Sequence, residues 1–157
     1  MADRNHVIQS ELSEAVFPVL LMTKRWIRVY ADAWALTAVW QKAVKKKSFD
    51  DSMLVDSQNR SRTVRTLHIV GSIGPFFGFD IFLNRSMRVT YEFSGGWVAA
   101  DLGEVGSRAL GQWRSFSDAT DPDYASDFEK RLLAAPDTVS LIRILSEQYS
   151  GHFERTR

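Results

Sequence analysis

The chain has 157 residues, 45% of them hydrophobic and 25% charged, with 19 aromatics and a net charge of +1. That is the composition of one globular domain spanning residues 1–157; a chain of this size buries about 68–70% of its extended surface, and so many aromatics exclude a disordered polymer. There is no cysteine, which excludes a disulfide framework, a thiolate zinc site, an iron–sulfur cluster and a cysteine nucleophile.

The polar start, Met1 to His6, lacks the uninterrupted apolar stretch of a secretory signal. The longest apolar run, Ala15 to Met22, is eight residues and contains Pro18, against about 20 for a membrane span. A soluble cytoplasmic protein with no membrane partner is expected. Charge is uneven along the chain. Residues 1–92 hold thirteen basic and nine acidic side chains, and residues 93–157 hold seven and ten. The basic side chains concentrate at Lys42, Lys45, Lys46 and Lys47, then at Arg60, Arg62 and Arg65, then at Arg85 and Arg88. The acidic ones concentrate at Asp118, Asp121, Asp123, Asp127 and Glu129. Solvated surface is the plain reading of both runs.

In chain order, Ile8, Leu12, Ala15 and Val16 share one face of a short helix over Asn5–Val16, which Pro18 interrupts. Residues 24–47 allow two readings. In one, Arg25–Ala31 is a strand by its alternation and aromatic content, and a helix over 33–47 follows, capped by Asp32. In the other, a single long helix carries Trp26, Val29, Tyr30, Ala33, Leu36 and Trp40 on one stripe. The first is preferred.

The middle of the chain reads as β. Ser52–Asp56 is a strand, Ser57–Arg60 a turn and Arg62–Val70 the return strand. Gly71, Gly74, Pro75 and Gly78 punctuate a loop, Phe79–Leu83 is apolar, Asn84–Ser86 turns, and Met87–Phe93 alternates as a half-buried strand. Four phenylalanines, Phe76, Phe77, Phe79 and Phe82, are expected in the core.

Beyond Asp101 the period becomes helical. Leu102, Val105, Ala109, Leu110, Trp113 and Phe116 share a face behind an Asp101/Glu104 capping pair. Ser126–Glu129 reads as a capping box opening a helix to Ala135. Asp137 or Thr138 caps a last helix with Val139, Ile142, Leu145 and Tyr149 inward, and Gly151 marks its stop. The fold class is therefore α+β: an antiparallel sheet of about four strands with several helices packed mainly on one face.

Motifs for chemistry are missing. The histidines, His6, His68 and His152, are far apart and lack HExxH spacing. Gly71-Ser-Ile-Gly74 is not a nucleophile elbow. The Gly71–Gly78 stretch has neither a GKS/GKT ending nor GxGxxG, so it reads as a turn and not a phosphate cradle. Asp121, Asp123 and Asp127 lack the glycine and closing glutamate of a calcium loop. Asp50, Asp51, Asp56, Asp80 and Glu92 follow no PD-(D/E)xK pattern. No catalytic residue, metal site or cofactor is expected.

One arrangement points elsewhere. A helix ending in Lys46-Lys-Ser-Phe49 leads to Met53-Leu-Val-Asp-Ser57, a polar turn and Val64-Arg-Thr-Leu-His68. Gly74-Pro-Phe-Phe-Gly-Phe79 and Phe82-Leu-Asn-Arg85 follow. Over residues 25–116 this resembles a group of small bacterial proteins, some of which are immunity proteins of polymorphic-toxin or contact-dependent growth-inhibition systems. The resemblance implies a non-catalytic protein-binding module whose partner is a cognate toxin, a nuclease being one candidate, neutralised by direct binding. It carries no active-site residues.

An acidic patch that mimics phosphate suits the basic cleft of a nuclease. The candidates are Asp118, Asp121, Asp123, Tyr124, Asp127 and Glu129, with Trp113 as a further apolar anchor. The alternatives are a nucleic-acid-binding accessory protein using Lys45, Lys46, Lys47, Arg60 and Arg62, which the small net charge disfavours, and a small enzyme without a readable motif.

Overall fold

The computed structural model describes residues 12–73, 86–116 and 121–153. In chain order the elements are β1 (Val19–Met22), β2 (Ile27–Tyr30), α1 (Ala33–Leu36), β3 (Ala38–Trp40), α2 (Gln41–Lys45), β4 (Met53–Val55), β5 (Arg60–Ser72), β6 (Ser86–Phe93), β7 (Val98–Ala99), α3 (Leu102–Phe116), α4 (Pro122–Leu133) and α5 (Thr138–Phe153). The class is α+β, as the periodicities indicate, but among the described residues the antiparallel sheet already has seven strands and not about four. Its order is β2-β1-β4-β5-β6-β3, with β7 paired to the start of β5.

The extra strands are those that alternation cannot reveal. β1 is buried along its whole length. Val19 and Leu21 face one core cluster, and Leu20 and Met22 face the other. A strand covered on both faces is a continuous apolar run with no period-2 signal. β3 and β7 are three and two residues long, too short to show a period.

The sheet is curled. Five strand spacings of about 4.8 Å would separate β2 from β3 by roughly 24 Å in a flat sheet. The link between them holds only Ala31, Asp32, α1 and Thr37, and a four-residue helix advances only about 6 Å. The edges must therefore approach, and Tyr30 of β2 and Val39 of β3 share one buried cluster with Leu21, Leu54, Val64 and Tyr91. The 13-residue β5 makes the bend. It pairs through Ser61–Thr63 with β4 and from Val64 onward with β6, with register breaks at Val64/Thr66 and Ile69/Gly71. Such irregularities sharpen strand twist.

The other face of the sheet carries the three long helices. Val105, Ala109 and Leu110 of α3, Phe128 and Leu132 of α4, and Leu141, Ile142 and Leu145 of α5 close over Leu20, Met22, Ile27 and Val55. The inward face read for the last helix needs one correction, since Val139 is 38% exposed and Leu141 takes its place.

Residues 24–47 form neither a single long helix nor an unbroken helix over 33–47. The strand reading holds at Ile27–Tyr30, and Asp32 caps α1 by accepting from the Ala35 amide at 2.8 Å. β3 then interrupts the helix, because Ala38–Trp40 pair with Ser86–Arg88 of β6. Arg88 Nη1 secures that break, donating to the Trp34 carbonyl at 2.7 Å and to Thr37 Oγ1 at 2.8 Å.

Two helix boundaries are also corrected. α4 starts at Pro122 and not at Ser126, because the Asp121 carboxylate accepts from the Asp123 and Tyr124 amides at 3.0 and 3.4 Å and proline is pre-set for the first helical position. α5 runs through Gly151 to Phe153; a glycine weakens a helix by about 1 kcal/mol without ending it. The expected strand over 79–83, Asn84 and Arg85 of the expected turn, the four-phenylalanine cluster and most of the Asn5–Val16 helix lie outside the described residues; Ser86, expected in that turn, is the first residue of β6, paired with Trp40.

Candidate functional site

The candidate acidic patch separates into three kinds of carboxylate. Asp118 lies outside the described residues. Asp121 is the N-cap of α4, so its carboxylate is engaged with backbone amides. Glu129 is half-buried and accepts from Arg114 Nη2 and Nε at 2.7 and 2.8 Å, which ties α4 to α3. Trp113 stacks obliquely on Phe128 with ring centroids 4.5 Å apart, so it is packing between helices and not a free anchor.

Asp123, Tyr124 and Asp127 remain, all exposed on α4, with Tyr124 47% accessible. Residues three and four apart on a helix are surface neighbours. Tyr124 and Asp127 are one such pair, and Asp123 and Asp127 the other. Like charges at that spacing weaken a helix slightly, although Asp123 gains from the helix N-terminus. Arg131, one turn beyond Asp127, is committed to Glu147 at 2.7 Å. That contact chiefly, with Asp127 adding, holds the Arg131 pKa above its usual range. The result is an outward turn of α4 with two carboxylates around an exposed tyrosine.

The candidate basic residues do not form one patch of available cations. Arg60 belongs to a buried node. The Asp56 side chain is 0% exposed and accepts from Arg60 Nη2 at 2.6 Å, from Arg60 Nε at 3.0 Å, and from the Gln58 and Arg60 amides at 3.0 Å. Arg60 also donates to the Glu14 carbonyl at 2.8 Å and lies 5.0 Å from the Trp97 ring centroid. Arg62 is stacked on Phe93 at 4.4 Å and donates to the Gly95 carbonyl.

Lys45, Lys46 and Lys47 are exposed at the end of α2. Their placement follows from helix termination. Lys47 takes a left-handed φ of 52°, its amide donates to the Val44 carbonyl, and the Ser48 amide donates to the Ala43 carbonyl. This is a Schellman stop, where cations also oppose the helix dipole.

His68 is on the surface of β5, 2.7 Å from Glu92, which Arg65 also approaches to 3.1 Å. The hydrogen bond with His68, aided by Arg65, lowers the Glu92 pKa. No group of three or more His, Asp or Glu side chains placed to hold a metal occurs among the described residues. None of their helices is long and apolar enough to cross a membrane.

The residue that sequence reasoning missed is Arg88, together with Trp34 stacked on it at 3.4 Å. Trp34 fitted a helical position, and only the pairing of β3 with β6 brings it to Arg88, 54 residues away in sequence. The chain matches no protein-family model, and no curated protein or solved structure matches it.

Proposed function

We propose that this chain is a non-catalytic protein-binding module, an immunity protein that neutralises a bacterial toxin in the cytoplasm by direct binding, with α4 supplying the contact. The observation that carries the reading is the outward turn of Asp123, Tyr124 and Asp127, whose neighbouring cation Arg131 is already paired with Glu147. Two carboxylates around an accessible tyrosine suit a basic partner surface. Charge complementarity speeds encounter and excludes wrong partners, and tyrosine is enriched among the residues that dominate binding energy. The toxin identity rests on the resemblance over residues 25–116. The nucleic-acid reading loses support because Arg60 and Arg62 are engaged within the fold.

The test is capture of partners from lysate of the native host, with and without nuclease treatment, at low and high salt. It is followed by affinity measurement with the Asp123→Lys/Asp127→Lys and Tyr124→Ala variants. One stoichiometric protein is expected, toxic when expressed alone and relieved by co-expression of this chain. Its affinity should fall at least about tenfold on charge reversal. Unchanged affinity in both variants would overturn the α4 assignment. Recovery of nuclease-sensitive material alone would move the function to Lys45, Lys46 and Lys47.

A further inference from the structure

A cleft of about 980 Å³ opens between α1, the end of β5 and the start of β6. Its size is at the upper end of small-ligand sites, roughly 300–1,000 Å³. Val70, Ile73, Val89 and the face of Trp34 supply apolar wall, and Thr37 and Thr90 supply hydroxyls. Val70 is 48%, Ile73 38% and Trp34 72% exposed. Among the described residues, Arg88 is the one charged side chain lining the cleft.

Arg88 is held before any ligand arrives. The Trp34 ring lies 3.4 Å from its guanidinium, and Nη1 is fixed by the Trp34 carbonyl and Thr37 Oγ1. Among the described residues, no acceptor faces Nε or Nη2. The buried Thr90 hydroxyl likewise has no hydrogen-bond partner among them. A guanidinium stacked on an indole, with Nε and Nη2 unpaired among the described residues, is arranged for the planar fork of a carboxylate.

We propose that this cleft binds a small organic carboxylate with an apolar body, its carboxylate on Arg88 Nε and Nη2 and its body along Trp34, Val70 and Ile73. Charge decides the head group, since an anion answers the Arg88 guanidinium and no carboxylate lines the cleft among the described residues. The apolar walls decide the body, because water is released from Trp34 and the aliphatic side chains when they are covered. This site uses none of the α4 residues and stands apart from the toxin-binding reading.

The test is calorimetric titration of the full chain at neutral pH with decanoate, with decanol as the neutral-headed control. In parallel, ¹⁵N NMR follows the Arg88 Nε–H and Trp34 indole signals. Decanoate is expected to bind at least about tenfold more tightly than decanol, the scale of a hydrogen-bonded charge, and to shift both signals. Arg88→Met, which keeps the stem, should abolish the difference; should that variant fail to fold, the wild-type comparison and the NMR shifts decide. Equal binding of the two probes, no binding of decanoate, or decanoate binding that leaves the Arg88 signal unmoved would overturn the proposal. Binding of an apolar tetrapeptide through its free C-terminus, with decanoate unbound, would also overturn it and assign the cleft to a protein tail.

Discussion

Asp56 and the pair Asp123 and Asp127 are the same residue type in opposite situations. Asp56 sits between β4 and β5, wholly enclosed, with Arg60 and three backbone amides, those of Val16, Gln58 and Arg60, supplying its hydrogen bonds at 2.6 to 3.4 Å. Asp123 and Asp127 face solvent on α4. A buried carboxylate is stable only when its partners are complete, and removing one side leaves an uncompensated charge. An exposed carboxylate contributes little to the fold and is available to a partner. The hairpin uses its charge to specify structure, and the charge that α4 leaves exposed is the one the proposed function draws on.

The largest expected effect comes from breaking the enclosed member. Asp56→Ala leaves the Arg60 guanidinium and the Val16, Gln58 and Arg60 amides without this acceptor, and should destabilise the protein by about 3–5 kcal/mol in urea unfolding. A loss below about 1 kcal/mol would show that water replaces the carboxylate and that the node is not structural.

Next is the turn that joins this hairpin to the helical layer. Asn59 has φ 59°, its side chain accepts from the Thr138 amide at 2.7 Å, and its carbonyl accepts from Ala100 at 2.8 Å. Asn59→Ala loses the acceptor and strains the left-handed backbone, for a combined cost of about 2 kcal/mol. Asn59→Gly loses the acceptor alone and should cost less. Equal losses in the two variants would assign the whole effect to the Thr138 contact.

The exposed member sharpens the comparison from the other side. Asp123→Lys/Asp127→Lys should cost the fold no more than about 1 kcal/mol, mainly at the helix N-terminus beside Asp123, while weakening the proposed partner complex. A large stability loss would mean that these carboxylates, like Asp56, serve the fold.

The smallest effect concerns a third kind of aspartate. Asp137 accepts from the Ser140 amide at 2.7 Å at the start of α5, and that bond lowers its pKa from the ordinary value of 3.8. A carboxyl depressed in the folded state adds stability above its unfolded pKa and loses it as pH falls through the folded one. Acid unfolding of the wild type should therefore steepen below the ordinary value, and Asp137→Asn should flatten that region. Identical pH profiles would show that the cap carries no linkage.

Much of this division was legible in the sequence, for local reasons. The Ser57–Arg60 turn, the Asp32 and Asp137 caps and the α3 period each depend on residues a few positions apart. The acidic run was legible as charge but not as function. Whether a carboxylate caps, bridges or faces solvent depends on Pro122, on Arg114 of another helix and on Glu147 of a third. Arg60 looked like a surface cation because Asp56, Trp97 and Glu14 converge on it only in the fold.

The sequence alone determined the class, an α+β chain without thiol chemistry, because hydrophobic period and composition are carried by neighbouring residues. Tertiary structure decided the seven-stranded curl, the insertion of β3 into an expected helix and the meeting of Trp34 with Arg88. Each depends on pairing between distant segments, where backbone hydrogen bonds and burial outweigh local propensities of a few tenths of a kcal/mol per residue.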